Sequence, residues 1–275
     1  MLKAGSLLIV GAGNMGGALL RGLLGTGWDP AAISVVERSA VRRDELSAVA
    51  GITVTDSPSP SEAVLLAVKP SDAEEACTAL QWTGEHRRLL SIVAGVPSEL
   101  LERWTHDAAV LRAMPNVAAA VGRSATALCA GRRAKDDDVA WAEGILAGIG
   151  TTVRVPESLM DAVTGLSGSG PAFLAVFVEA MIEAGVQLGL SRADAAKLAT
   201  ETVWGVGEML VRSGQDPASL RYSVTSPGGT TAAGLQALEA RAFRAAVAEA
   251  IGAAAERSAQ LRDKGTGSGR AATNS

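Results

Sequence analysis

Close to the N-terminus, Gly11-Ala12-Gly13-Asn14-Met15-Gly16 spaces its glycines as G-x-G-x-x-G. The segment follows an apolar run, Leu7 to Val10, and opens a helical pattern over Asn14 to Gly25. That is the setting a dinucleotide pyrophosphate requires. Gly11 allows the tight turn, Gly13 lets the diphosphate approach bare backbone, Gly16 lets helix and strand pack closely, and the helix N-terminus faces the anion. A ribose-reading residue is expected about 20 residues further on, where Val35-Val36-Glu37-Arg38-Ser39 stands. Glu37 suits a ribose 2′-hydroxyl and repels a 2′-phosphate, whereas Arg38 beside Ser39 can grip that phosphate by charge-assisted hydrogen bonds. The sequence therefore leaves NADPH and NADH both open.

A second glycine-rich element, Thr225-Ser226-Pro227-Gly228-Gly229-Thr230-Thr231, precedes the helical run containing Leu235 and Leu238. Ser226 suits an N-cap and Pro227 the first helical position. Gly228 and Gly229 then cost the helix stability, and their use is to present bare N–H groups at a positive helix end, a seat for a small carboxylate. Ser167-Gly168-Ser169-Gly170-Pro171 has similar logic, with a structural and a ligand-facing reading equally open.

Missing groups narrow the chemistry. His86 and His106 lie in polar connections and are expected at the surface. No His/Cys/carboxylate cluster suggests a metal, and neither G-x-S-x-G nor a P-loop occurs. Hydride transfer to a ketone or alcohol normally uses a His or Lys, and none stands between Asp136 and Leu190. An imine needs less: its nitrogen can arrive protonated or accept from a hydroxyl such as Thr231, with orientation supplying most of the rate.

These segments must be held by a scaffold, and the first half of the chain alternates short apolar runs with helical stretches. Candidate strands are Leu7 to Val10, Ile33 to Glu37, Ala63 to Val68, Leu89 to Val93, Val110 to Ala113 and Ala125 to Ala130, with a last one near Thr151 to Val155. Helical stretches include Asn14 to Gly25, Ser71 to Leu80 and Ser98 to Trp104. The alternation predicts a doubly wound parallel sheet, a Rossmann-type α/β domain. After Pro156 the pattern becomes helical. Phe173, Val176, Phe177, Ala180, Met181 and Ala184 form one stripe at helical spacing, Leu174, Val178 and Ile182 another. A helix apolar on most of its circumference must be covered, and a partner subunit is a natural cover. Ala195 to Leu210 and Phe243 to Ala254 predict two further helices of an all-α domain. The expected division is a dinucleotide-binding domain over 1–157, a helical substrate and dimerisation domain over 158–263, and a flexible tail over 264–275.

Composition bounds the class. The 275 residues are 48% hydrophobic and 20% charged, with 25 Lys plus Arg against 29 Asp plus Glu and a net charge of -4, which excludes intrinsic disorder and any strong pull toward nucleic acid. Cys77 and Cys129 are two cysteines far apart, which suits buried small hydrophobes in a reducing, cytoplasmic compartment rather than a disulfide framework. The uncharged stretch Ala162 to Val178, broken by Gly165, Gly168, Gly170 and Pro171, is expected to fall short of the roughly 20 apolar residues of a membrane span.

Taken together, Gly11 to Gly16, Ala67-Val68-Lys69-Pro70, Val93-Ala94-Gly95, Arg112-Ala113-Met114-Pro115-Asn116, Asp161 to Thr164 running into Ser167 to Pro171, and Ser226 to Thr231 resemble the pyrroline-5-carboxylate reductase family, in order and nearly to Leu261. The resemblance implies NAD(P)H-dependent reduction of the C=N bond of 1-pyrroline-5-carboxylate to L-proline, the last step of proline biosynthesis. It implies a Rossmann domain followed by a helical domain that dimerises by interlocking, five dimers forming a decamer in many members. Gly11, Ala12, Gly13, Asn14, Met15 and Gly16 would hold the pyrophosphate, and Ala67, Val68, Lys69 and Pro70 would pass beside the cofactor ribose. Ala94, Gly95 and Asn116 would lie near the nicotinamide. Ser226, Gly228, Gly229, Thr230 and Thr231 would bind the substrate carboxylate, Thr231 reaching the ring nitrogen as the catalytic hydroxyl, in a site completed across the dimer. Two rival readings are another imine or β-hydroxyacid reductase, the latter usually carrying an early Lys that this helical segment lacks, and a non-catalytic dinucleotide sensor on the same scaffold.

Overall fold

The computed structural model describes residues 6–49 and 51–265. The N-terminal half runs β1 (Leu7–Val10), α1 (Asn14–Gly25), β2 (Ile33–Val36), α2 (Ala40–Ser47), β3 (Thr53–Thr55), β4 (Ala63–Leu66), α3 (Ala73–Thr78), β5 (Arg88–Ser91), α4 (Ser98–Thr105), β6 (Ala109–Met114), β7 (Ser124–Ala130), α5 (Asp136–Leu146) and β8 (Gly150–Arg154). The strands form one sheet in the order β3-β2-β1-β4-β5-β6-β7-β8. The chain reverses direction of winding between β1 and β4, and the crevice beyond the carboxyl ends of those two strands is where such sheets bind ligands.

Burial on both faces explains the unbroken apolar runs. Leu7 and Ile9 of β1 pack with Leu19, Leu20 and Leu23 of α1 and Ala142, Ile145 and Leu146 of α5. Leu8 and Val10 point the other way, onto Ala73, Ala76 and Cys77 of α3 and Leu101 of α4. Each such Leu or Ile, nearly inaccessible to water, contributes roughly 2 kcal/mol of transfer free energy.

One departure from the sequence-based expectation is that the sheet is not wholly parallel. β7 pairs antiparallel with β6, placing Arg112 opposite Cys129, and only then does β8 return parallel to β7. The link from β6 to β7 contains just the 3₁₀ turn Val117–Val121, too short for the crossover of about a dozen residues that a parallel step requires.

The remaining helices are α6 (Met160–Val163), a π-helical turn over Thr164–Gly168, α7 (Gly170–Gln187), α8 (Arg192–Ser213), α9 (Pro217–Ser223), α10 (Thr230–Ala240) and α11 (Phe243–Gly265). The described chain forms two compact units: one runs to Ser169 and includes the C-terminal stretch from Ala253, and the other is Gly170–Gly252. In the second, Ser191 caps α8 by accepting from the Asp194 N–H at 3.1 Å, Gly214 ends that helix in the left-handed region, and Phe177 and Phe243 lie 6.0 Å apart, centroid to centroid. The tail expected over 264–275 lies, from residue 266 on, outside the described residues.

Two further expectations are corrected. The glycines after Thr164 do not interrupt the backbone, which absorbs them as the π turn, so the helical run over 157–187 is long and apolar enough by composition to cross a membrane. Ser226 does not cap a helix. Pro227 and Gly228 instead occupy the centre of a tight turn in which the Gly229 N–H donates to the Ser226 carbonyl at 3.0 Å, Gly228 sits at φ 70°, and α10 begins at Thr230 with Gly229 as its N-cap. Pro followed by a positive-φ Gly is the pattern of a type II turn, and it outcompetes an early helix start.

Candidate active site

The glycine turn leaves β1 at Gly11, whose φ of 90° and N–H bond to the Val36 carbonyl at 2.9 Å fold the chain over the sheet edge. A Cβ at Gly11 would lie 2.7 Å from the Ala67 carbonyl oxygen, and one at Gly16 would collide with the Gly11 carbonyl. These two glycines serve internal packing. At Gly13 a Cβ would meet nothing within 4 Å, so the space over that residue is open, as an approaching diphosphate needs. Gly13 is also the N-cap of α1, which has no side-chain cap and no acidic residue in its first turn. Its first N–H groups have no side-chain cap and no acidic residue of the helix's own first turn to satisfy them. Asn14 is exposed, Ala12 is buried and Met15 packs on the core.

Beside this turn a cavity of 470 Å³ is lined by Gly11 and Gly13, by Glu37 and Arg38 from the end of β2, and by Ala67, Val68 and Lys69 from the end of β4. Glu37 is anchored at both oxygens: Oε2 accepts from the Ala12 N–H at 3.1 Å and Oε1 from the Ser39 N–H at 3.0 Å. Arg38 points to Glu75, 2.8 Å away. The open Gly13, the uncapped helix end and the anchored carboxylate fit a dinucleotide.

A second cavity in the same unit, of 580 Å³, is lined by Pro70, Ala94, Gly95, Thr164 and Ser169, and by Ser258 and Leu261 of α11, among others. Ala94 and Gly95 leave β5 at the same sheet edge, Gly95 with φ 74°. Asn116 is buried. Its Nδ2 donates to the Ser167 carbonyl at 3.1 Å and its Oδ1 accepts from the Ala118 N–H at 3.1 Å, tying the end of β6 to the π turn. Among the substrate-side residues, Ser226, Gly228, Thr230 and Thr231 are exposed and Gly229 is half-buried. No side chain caps α10, so its first N–H groups stand beside two threonine hydroxyls, an arrangement able to seat a carboxylate.

Neither histidine lines these cavities. His86 Nε2 lies 2.6 Å from Asp138 Oδ1, which also accepts from Arg88 Nε at 2.7 Å, a structural brace at the opposite end of β5. Burial pushes the Cys77 thiol up to about 12 and the Cys129 thiol up to about 11; both cysteines are free.

Sequence reasoning missed a polar knot that joins the start of α4, β6 and the chain entering α6. Glu157 accepts from the Ser98 N–H at 2.7 Å, from the Ser98 hydroxyl and from Arg112 Nη1 at 2.5 Å. Among the described residues Arg112 Nε is a buried side-chain nitrogen without a hydrogen-bond partner. Burial pushes the Glu157 carboxyl up, but the two Ser98 donors and the Arg112 guanidinium outweigh it and hold it below the usual range. A second cluster joins Asp161 to the Ser258 hydroxyl at 2.7 Å and to Arg262. An Arg inside an otherwise apolar strand was the available signal for the first; nothing local to Asp161 announced the second.

The strand order, the uncapped glycine turn and the carboxylate at the end of β2 define a nucleotide-dependent oxidoreductase of Rossmann type, and residues 6–95 match the family described as NADP oxidoreductase, coenzyme F420-dependent. Residues 157–261 match the pyrroline-5-carboxylate reductase dimerisation family. A pyrroline-5-carboxylate reductase from Synechocystis sp. is 41% identical over 261 residues, covering 93% of this chain and 98% of that one. The structure of a pyrroline-5-carboxylate reductase from Coxiella burnetii superposes with a TM-score of 0.89 at 32% identity, covering 94% of this chain and 99% of that one. A pyrroline carboxylate reductase from Plasmodium falciparum, with NADP bound, gives 0.81 at 27% identity, covering 95% of this chain and 100% of that one. The chain belongs to the pyrroline-5-carboxylate reductase family.

Proposed function

We propose that this chain reduces the C=N bond of 1-pyrroline-5-carboxylate to L-proline, using NADH or NADPH, as the last step of proline biosynthesis in the cytoplasm. The observation that carries the reading is the open backbone over Gly13 at an uncapped helix start, within a chain that is 41% identical over 261 residues to a reductase of this name.

The residue roles follow from local chemistry. The N–H groups from Gly13 to Gly16 hold the diphosphate, with Ala12 buried beneath them. Glu37 and Arg38 meet the ribose, and Ala67 to Pro70 flank it. Ala94, Gly95 and Asn116 border the nicotinamide, which when bound supplies the hydride. Gly228, Gly229 and the first turn of α10 hold the substrate carboxylate, helped by Ser226 and Thr230. Thr231 holds the proton at the ring nitrogen, so no His or Lys is needed. Residues 1–157 carry cofactor binding, and residues 158–263 carry substrate binding and dimerisation. The apolar helix after Gly170 is covered by a partner subunit rather than by lipid, in a homodimer that five-fold assembly extends to a decamer.

The test is oxidation of NADPH and NADH in parallel with 1-pyrroline-5-carboxylate. Consumption with proline formed is expected. Binding of either dinucleotide without consumption would sink the reaction and favour a different imine substrate or a sensor.

A further inference from the structure

We propose that Glu37 makes this enzyme select NADH over NADPH; the inference rests on the reading that a dinucleotide lies along Gly11 to Gly16. The Glu37 carboxylate cannot swing away easily, because the Ala12 N–H holds one oxygen at 3.1 Å and the Ser39 N–H the other at 3.0 Å. Each oxygen keeps a further lone pair. A ribose hydroxyl can donate to it, while a 2′-phosphate replaces that donor with a mostly ionised group that brings roughly -1.5 to -2 charges of its own.

The arginines beside this pocket already have partners within the protein, which leaves Lys69, among the described residues, as the cation still available to a phosphate. Arg38 pairs with Glu75 at 2.8 Å. Arg42 donates from Nε to the Ala12 carbonyl at 3.1 Å and from Nη1 to Glu45 at 2.5 Å. Arg43 Nη1 donates to the Glu37 and Arg38 carbonyls at 2.9 and 2.8 Å. The Ser39 N–H donates to Glu37, and the Ser39 hydroxyl accepts from the Arg42 N–H while keeping its own proton to donate. Around the cavity itself, the carboxylates Glu37, Asp56, Asp72 and Glu75 outnumber the cations Arg38 and Lys69. A second anion in this pocket faces like charge, and selectivity arises from that repulsion as much as from attraction to the hydroxyl.

The test is a fluorescence titration of the full-length enzyme with NADH and with NADPH, without substrate, on the wild type, Glu37→Ser and Glu37→Gln. The wild type is expected to bind NADH at least about tenfold tighter, and both variants to lower that ratio by about tenfold through tighter NADPH binding. Equal or tighter NADPH binding by the wild type overturns the proposal even where a variant fails to fold, and so does a ratio unchanged in the folded variants. Binding of neither dinucleotide would remove the cofactor reading itself, and this inference with it.

Discussion

A valine at Gly13 probes the proposed diphosphate seat without disturbing the protein. Its φ of -64° and ψ of -160° are open to any L residue, and a Cβ there meets nothing within 4 Å. Gly13→Val should leave the melting temperature within about 2 °C while raising the dinucleotide Kd by on the order of tenfold or more, read by the same fluorescence titration. An unchanged Kd would move the diphosphate elsewhere. Gly16→Ala makes the opposite prediction, since its methyl collides with the Gly11 carbonyl: stability should fall by about 1–3 kcal/mol, visible in urea unfolding. At Thr231, which is exposed beside the start of α10, alanine should cut kcat by on the order of 100-fold with dinucleotide affinity intact, and serine should recover most of the loss. Normal turnover in Thr231→Ala would take that hydroxyl out of the reaction.

Among the elements, α4, β6 and the chain entering α6 are joined by one knot, Ser98–Glu157–Arg112. Removing one member of a largely buried ion pair costs about 3–5 kcal/mol, less where a partner is solvated, and the Glu157 side chain is 32% exposed against 9% for Arg112. Glu157→Ala is therefore expected to cost about 2–3 kcal/mol in urea unfolding at neutral pH. The Glu157 carboxyl lies below its ordinary 4.5 in the folded state, so its contribution is complete above about pH 4.5 and drains away as pH falls through the folded value. Wild type and Glu157→Ala should thus converge in stability as pH is lowered from about 5 toward 3, and parallel curves would assign the loss to packing alone. What the sequence disclosed at this scale follows burial. β1, β4 and α1 stand close to where their apolar runs put them, because both faces of the sheet are covered. Thr53–Thr55 has no buried residue and Ala40–Ser47 only Leu46, so neither carried a readable pattern. The antiparallel β7 was hidden because an apolar run carries no direction. The glycine turn after β1 was legible since its glycines answer to local geometry, whereas the Glu157 knot joins residues more than forty apart in sequence.

For the molecule as a whole, the unpaired apolar surface of the helical unit decides the state of assembly. Leu174 and Val176 of α7 are 57% and 64% exposed, and Trp204 and Met209 of α8 are 65% and 52% exposed, far more than single scattered hydrophobes on a monomer. The helical run over 157–187, which includes α7, is long and apolar enough to cross a membrane, so lipid and a second subunit compete as its cover. Membership of a family whose matching segment is a dimerisation region favours the subunit, and a symmetric interface gives every substitution a double effect, once on each side. Trp204→Glu and Val176→Glu should each convert the wild-type oligomer into smaller species in sedimentation velocity, in detergent-free buffer. Dinucleotide affinity should survive in both, because every residue lining the cavity at Glu37 comes from the sheet domain of one chain. Proline formation should fall together with the oligomer, since the carboxylate seat proposed on α10 lies in the helical unit. Full turnover by a monomeric variant would show instead that one chain holds a complete site, and a wild type that requires detergent to stay in solution would return the apolar helix to the membrane.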